Sequence, residues 1–157
     1  MIYKIKTNSK QGFTLIELLV VITIIGVLAT IVLNSLNSSR ARAYDSKIKQ
    51  QLARFRSSAE IYYSNQSPTG YYNSGTLSVC TTAGTIFTDV TTANAAPGSY
   101  ILATNLPANT TVVCGANQNA YAVKATMYSG GAYWCVDSTG ASKQVTGAIG
   151  GSVTVCP

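Results

Sequence analysis

From Phe13 to Leu33 the chain is apolar at every position except Thr14, Glu17, Thr23, Gly26 and Thr30. A helix built from these 21 residues has no polar face and reaches about 30 Å, enough to cross the hydrocarbon layer of a membrane. Beyond Leu33 the apolar positions thin to a stripe. Leu36, Tyr44, Ile48, Leu52, Phe55, Ala59 and Tyr62 recur mostly three or four residues apart, with Arg and Lys on the remaining faces. That spacing predicts the amphipathic half of the same helix. No proline interrupts before Pro68, and Ser64-Asn65-Gln66-Ser67 supplies a stop, so one helix is expected over Phe13–Tyr63. Its weakest link is Asn34-Ser35-Leu36-Asn37-Ser38-Ser39, whose side chains compete for backbone hydrogen bonds.

After the helix the pattern changes to short runs with period two. Strands are expected at Tyr100–Thr104, Thr111–Cys114, Tyr121–Met127, Tyr133–Asp137, Ser142–Thr146 and Val153–Cys156, and a short helix over Thr85–Thr92. In the third of these runs Tyr121, Val123, Ala125 and Met127 take one face, and Ala122, Lys124 and Thr126 the other. Ser129-Gly130-Gly131 and Ser138-Thr139-Gly140 read as hairpin turns. The predicted fold class is α+β: a long N-terminal helix, apolar in its first half and amphipathic in its second, packed on a small antiparallel β-sheet. Residues 13–33 form the apolar half of the helix, 34–63 the amphipathic half, and 64–157 a β-rich globular domain.

Charge and cysteine usage narrow the function. The net charge of +6 sits on Lys4, Lys6 and Lys10 before the apolar run and on Arg40, Arg42, Lys47, Lys49, Arg54 and Arg56 after it. The C-terminal domain carries only Lys124 and Lys143 against Asp89 and Asp137. A solvated helix face is the ordinary reading of the basic cluster; nucleic acid is a partner its charge permits and nothing else in the sequence supports. With no histidine and no CxxC pair, metal binding is not expected, and no cofactor is implied. No Ser-His-Asp set or acid–base pair can be assembled, so an enzyme is not expected. The cysteines Cys80, Cys114, Cys135 and Cys156 all lie in the polar domain, an even set that suits two disulfides after export. Three pairings exist, and Cys80–Cys114 with Cys135–Cys156 is favoured because each closes a loop within one half of the domain. Cations flank the apolar run on both sides, so charge counting leaves the topology open; the cysteines assign the C-terminal domain to the exported side.

Glu17 remains to be explained, since a carboxylate in hydrocarbon costs several kcal/mol unless paired or protonated. The segment GFTLIE, behind a short basic leader, resembles the processing site of the type IV pilins and of the pseudopilins of type II secretion. The resemblance covers Lys10 to about Leu33, and YWCVDSTG near the C-terminus also resembles domains of pilin-like proteins. It implies that residues 1–12 are a leader cut by a membrane prepilin peptidase between Gly12 and Phe13, and that the new amino terminus of Phe13 is N-methylated. It further implies that Glu17 meets the Phe13 amino group of a neighbouring subunit during assembly. The chain would then be a membrane-held subunit that the pilus assembly machinery polymerises into an extracellular helical filament of like copies. A pseudopilin shares every one of these N-terminal features. In one respect the sequence departs from the family: where many type IV pilins carry a helix-loosening proline, this chain has Asn34-Ser35.

A cleaved secretory signal is the rival reading of residues 4–35, and Glu17 at the start of its apolar core argues against it. The pairs Tyr62-Tyr63, Tyr71-Tyr72 and Tyr133-Trp134 are candidates for an aromatic binding surface, with interior packing the competing role.

Overall fold

A computed structural model describes residues 12–72, 80–147 and 154–157. It has one long helix, α1 (Leu15–Asn65), and four strands, β1 (Val112–Ala116), β2 (Tyr121–Thr126), β3 (Tyr133–Asp137) and β4 (Ser142–Val145). The strands form an antiparallel meander in the order β1-β2-β3-β4, so the protein is an α+β fold. The chain divides into two compact units, Met1–Ser39 and Arg40–Pro157.

In the first unit the described residues are helical from Leu15 and exposed throughout. By length and composition the helix is apolar enough near the N-terminus to cross a membrane. Thr23 and Thr30 turn their hydroxyls back to the carbonyls of Val20 and Gly26, each at 2.8 Å. Polar side chains thereby satisfy themselves within the helix, as a water-free surrounding requires.

In the second unit the stripe Asp45, Ile48, Leu52, Phe55, Ser58, Ala59 and Tyr62 is buried against Tyr121, Val123, Ala125 and Val136 of the sheet. Phe55 is the centre of this core: its ring stacks on Phe87 at 5.9 Å and meets Tyr121 edge-on at 5.5 Å. Two expected members of the stripe fall elsewhere. Leu36 lies in the first unit, and Tyr44 is 40% exposed, packing on Tyr128 at 4.6 Å. The turns at Gly130, Gly131 and Gly140 have φ of 86°, 74° and 93°, the left-handed region that the glycines of both expected hairpins supply without strain.

The alternation read in β2 is correct as a register: Val123 pairs with Val136 and Lys124 with Cys135. Its second face, however, is buried as well, with Lys124 only 3% exposed. The cause is the disulfide Cys135–Cys156, which holds the C-terminal chain against that face. Cys135, Val145 and Cys156 form a second small core there with Tyr133 and Ala141. The disulfide Cys80–Cys114 ties β1 to the chain that precedes it. Both pairs are those favoured from loop closure. Closing loops of 34 and 21 residues contributes about 3 to 4 kcal/mol each in the chain-entropy account.

Three expected elements differ. Tyr100–Thr104 is not a strand; Pro97–Ile101 is a 3-10 helix. Pro97 sits at its first position, where a fixed φ and a missing N–H favour helical entry. Gly98 then donates to Asp89 O at 2.8 Å, and a Cβ there would lie 2.6 Å from Phe87 O. Thr85–Thr92 is likewise no α-helix. Thr85 bridges Tyr72, its hydroxyl bonds Thr82 O at 2.8 Å, and only Thr92–Asn94 winds into a 3-10 turn. In the expected strand Val153–Cys156, Val153 lies outside the described residues and Thr154-Val155 form a bend.

Candidate functional site

Gly12 and Phe13 precede the first helical turn, and the Phe13 side chain is 84% exposed. Thr14 caps the helix. Its backbone N–H donates to Glu17 Oε2 at 2.9 Å, its hydroxyl donates to the same oxygen at 2.7 Å, and the Glu17 N–H donates back to Thr14 Oγ1 at 3.3 Å. This is a capping box, in which two end donors of the helix are satisfied reciprocally. The spacing Thr14-Leu15-Ile16-Glu17 is its sequence signature, a local role for Glu17 that the reading of the acid as a docking charge had overlooked. Around the box, Phe13, Ile16, Glu17, Val20 and Val21 line a shallow concavity of about 450 Å³, apolar except for the one carboxylate.

The other four acidic side chains lie in the second unit and each accepts hydrogen bonds there, Asp45 and Asp137 buried, Asp89 half-buried and Glu60 exposed. Asp45 accepts the backbone N–H of Tyr128 at 2.6 Å and of Ser129 at 3.3 Å, which fastens the β2–β3 hairpin to α1. Glu60 accepts the Tyr71 hydroxyl at 2.9 Å. Asp89 accepts Thr91 N–H at 2.7 Å and Asn94 Nδ2 at 2.6 Å. Asp137 is fully buried and accepts from Thr139 N–H and Oγ1, Ala141 N–H and Cys156 N–H at 2.7 to 3.1 Å. Burial alone would raise the Asp137 pKa, but the donors on Thr139, Cys156 and Ala141 outweigh it and hold the carboxyl below its ordinary value. Asp89 is lowered in the same way: burial opposes the ionised form, and Thr91 and Asn94 prevail. Burial lowers the pKa of Lys124, whose ammonium lies 4.5 Å from the centre of the Tyr133 ring.

The aromatic pairs divide between interior and surface. Tyr62 and Tyr71 are buried in the main core and Tyr63 packs at its edge. Trp134 packs on the main core with Lys49 Nζ 4.5 Å above its ring, and Tyr133 packs on the second core. Tyr72 is half-buried and pairs with Thr85. Interior packing therefore takes most of the rings that were candidates for a binding surface. Among the described residues no three His, Cys, Asp or Glu side chains come together to hold a metal ion.

No curated protein and no solved structure matches the chain. The family described as the prokaryotic N-terminal methylation motif matches residues 7–33, the stretch that holds the Gly12-Phe13 junction, the capping box and the apolar run. Such a motif marks a structural subunit rather than an enzyme, and with the apolar helix behind it fits membrane anchoring. The motif at residues 7–33, carried on a long helix with an antiparallel sheet behind it, supports the type IV pilin and pseudopilin family for this chain.

Proposed function

We propose that the protein is the structural subunit of a type IV pilus. Prepilin peptidase cuts between Gly12 and Phe13, Phe13 is N-methylated, and the subunit waits in the cytoplasmic membrane. Assembly then moves residues 13–33 from lipid into the core of an extracellular filament, with residues 64–157 on the outside. The observation that carries this reading is the methylation motif at residues 7–33 on a helix whose apolar side chains are exposed on every face. A surface so apolar is stable only in lipid or against other copies of itself.

In the filament the Phe13 amino group of one subunit meets Glu17 of the next. A carboxylate that is costly in an apolar surrounding becomes favourable when the opposite charge is delivered to it, and a neighbour docked out of register leaves both charges unpaired. The carboxylate is held ready by the capping box at the end of the helix.

Mass spectrometry of the native polypeptide is expected to find a chain that begins at methylated Phe13. A chain still beginning at Met1 while packed in fibres overturns the proposal. Glu17→Ala is expected to drop out of filaments, and normal incorporation would remove the register role. Long surface fibres made chiefly of this chain separate a pilin from a pseudopilin.

A further inference from the structure

Arg40 and Arg42 follow Leu33, the last residue of the apolar run, by seven and nine positions, about 10 to 14 Å of helical rise. The headgroup layer outside each face of the hydrocarbon is about 5 to 8 Å deep. An arginine stem covers several ångströms more while its charged head stays in water. Both side chains are exposed. Positions two apart on a helix differ by about 200° in direction, so the two arginines leave opposite flanks of α1. A single protein face cannot engage both, whereas a headgroup layer surrounding the helix can.

The chain offers these cations no anion of its own. Asp45, the nearest acid in sequence, is buried and bonded to the Tyr128 and Ser129 N–H groups. Glu60, Asp89 and Asp137 are likewise taken by hydroxyl, amide or backbone donors. Among the described residues the side chains of Arg40, Arg42, Lys47 and Arg54 form no hydrogen bond or ion pair. By contrast, Lys49 lies over Trp134, and Arg56 donates to Gly140 O at 2.8 Å.

We propose that Arg40 and Arg42 bind the phosphates of anionic lipid headgroups at the exported face of the membrane, fixing the depth at which the subunit waits there. The proposal rests on the membrane-held stage of the function proposed above. It also gives a reason for cations on the exported side of the span, where charge counting does not expect them. Lys47 and Arg54 stand about 10 and 21 Å further along the helix than Arg40, beyond direct headgroup contact. A nucleic acid lying along the basic face would use them as much as the first two.

The test places the full chain in nanodiscs of equal phosphatidylglycerol and phosphatidylcholine and reads the retained lipid by native mass spectrometry. Phosphatidylglycerol is expected to be enriched, and R40Q/R42Q is expected to reduce the enrichment by about five-fold per arginine, less at high salt. K47Q/R54Q should leave it unchanged; near-UV circular dichroism confirms that each variant is folded. A chain that enters the nanodisc yet retains phosphatidylglycerol equally with and without the two arginines overturns this proposal alone. A chain that does not enter bilayers overturns the membrane-held stage and this proposal together. Duplex DNA that binds the chain in neutral nanodiscs and depends on Arg54 as strongly as on Arg40, with no lipid preference, assigns the basic face to nucleic acid and also overturns it.

Discussion

Leu19 and Phe55 lie on the same helix and are treated oppositely. Leu19 is 58% exposed, as are its apolar neighbours within a similar range, while Phe55 is fully buried between Phe87 and Tyr121. The second unit closes its own core with one stripe of α1 and one face of the sheet, then adds a second small core on the other face with the Cys135–Cys156 disulfide. The first unit has no such cover among its described residues. Its apolar side chains need a surrounding that the chain itself does not provide. A hydrophobic residue contributes to the fold only where the chain returns to meet it; elsewhere it is an instruction to find lipid or another subunit.

Substitutions along α1 can break this contrast. Phe55→Ala is expected to destabilise the second unit by about 3 to 5 kcal/mol, through lost burial and the cavity left behind. Leu19→Ala should leave that unit within about 0.5 kcal/mol of the parent. Chemical denaturation of the full chain in detergent, followed by Trp134 fluorescence, measures both, and similar losses would show that the two halves are not energetically separate. Next in size, C80S/C114S should cost about 3 to 4 kcal/mol in the same assay, with no change in the chain's transfer into lipid vesicles.

Acid sharpens the contrast, because the second unit depends on ionised carboxylates. The folded-state pKa values of Asp137 and Asp89 lie below the ordinary 3.8. Their contribution is therefore complete above that value and disappears as pH falls through the lower, folded values. Stability is expected to decline below about pH 4, and Asp137→Asn should flatten that decline while lowering stability at neutral pH. An unchanged acid limb in the variant would assign the acid sensitivity elsewhere. A smaller loss is expected at Asp45. Asp45→Asn keeps an acceptor for the Tyr128 N–H but removes its charge, and should cost about 1 kcal/mol. Hydrogen exchange should quicken at Tyr128 and Ser129 and not in β4.

The long helix was legible because its signals are local. Its length, its change from all-round apolarity to a stripe and the polar stop before Pro68 can be read from neighbouring residues, and the structure places it at Leu15–Asn65. The β2–β3 and β3–β4 turns were legible for the same reason, their glycines being needed at positive φ. The capping box at Thr14 and Glu17 is equally local, and its spacing is compatible with a charge pair between subunits as well. Asp45 lies on the buried stripe three residues before Ile48, a place the apolar spacing does not assign to it. Only the hairpin that folds back to it explains its burial.

By itself the sequence determined the helix, the methylation motif at its start and the two glycine turns of an antiparallel sheet, and it favoured the observed cysteine pairs, because each depends on residues close in the chain or on a simple loop-closure preference. Tertiary structure alone decided that β2 is covered on both faces, that Gly98 packs against the Phe87 and Asp89 backbone where a strand at Tyr100–Thr104 was expected to begin shortly after, and that Asp137 holds Cys156. Those outcomes depend on backbone groups distant in sequence arriving at one point. A buried carboxylate or lysine is tolerated only once the packed chain has supplied its surroundings.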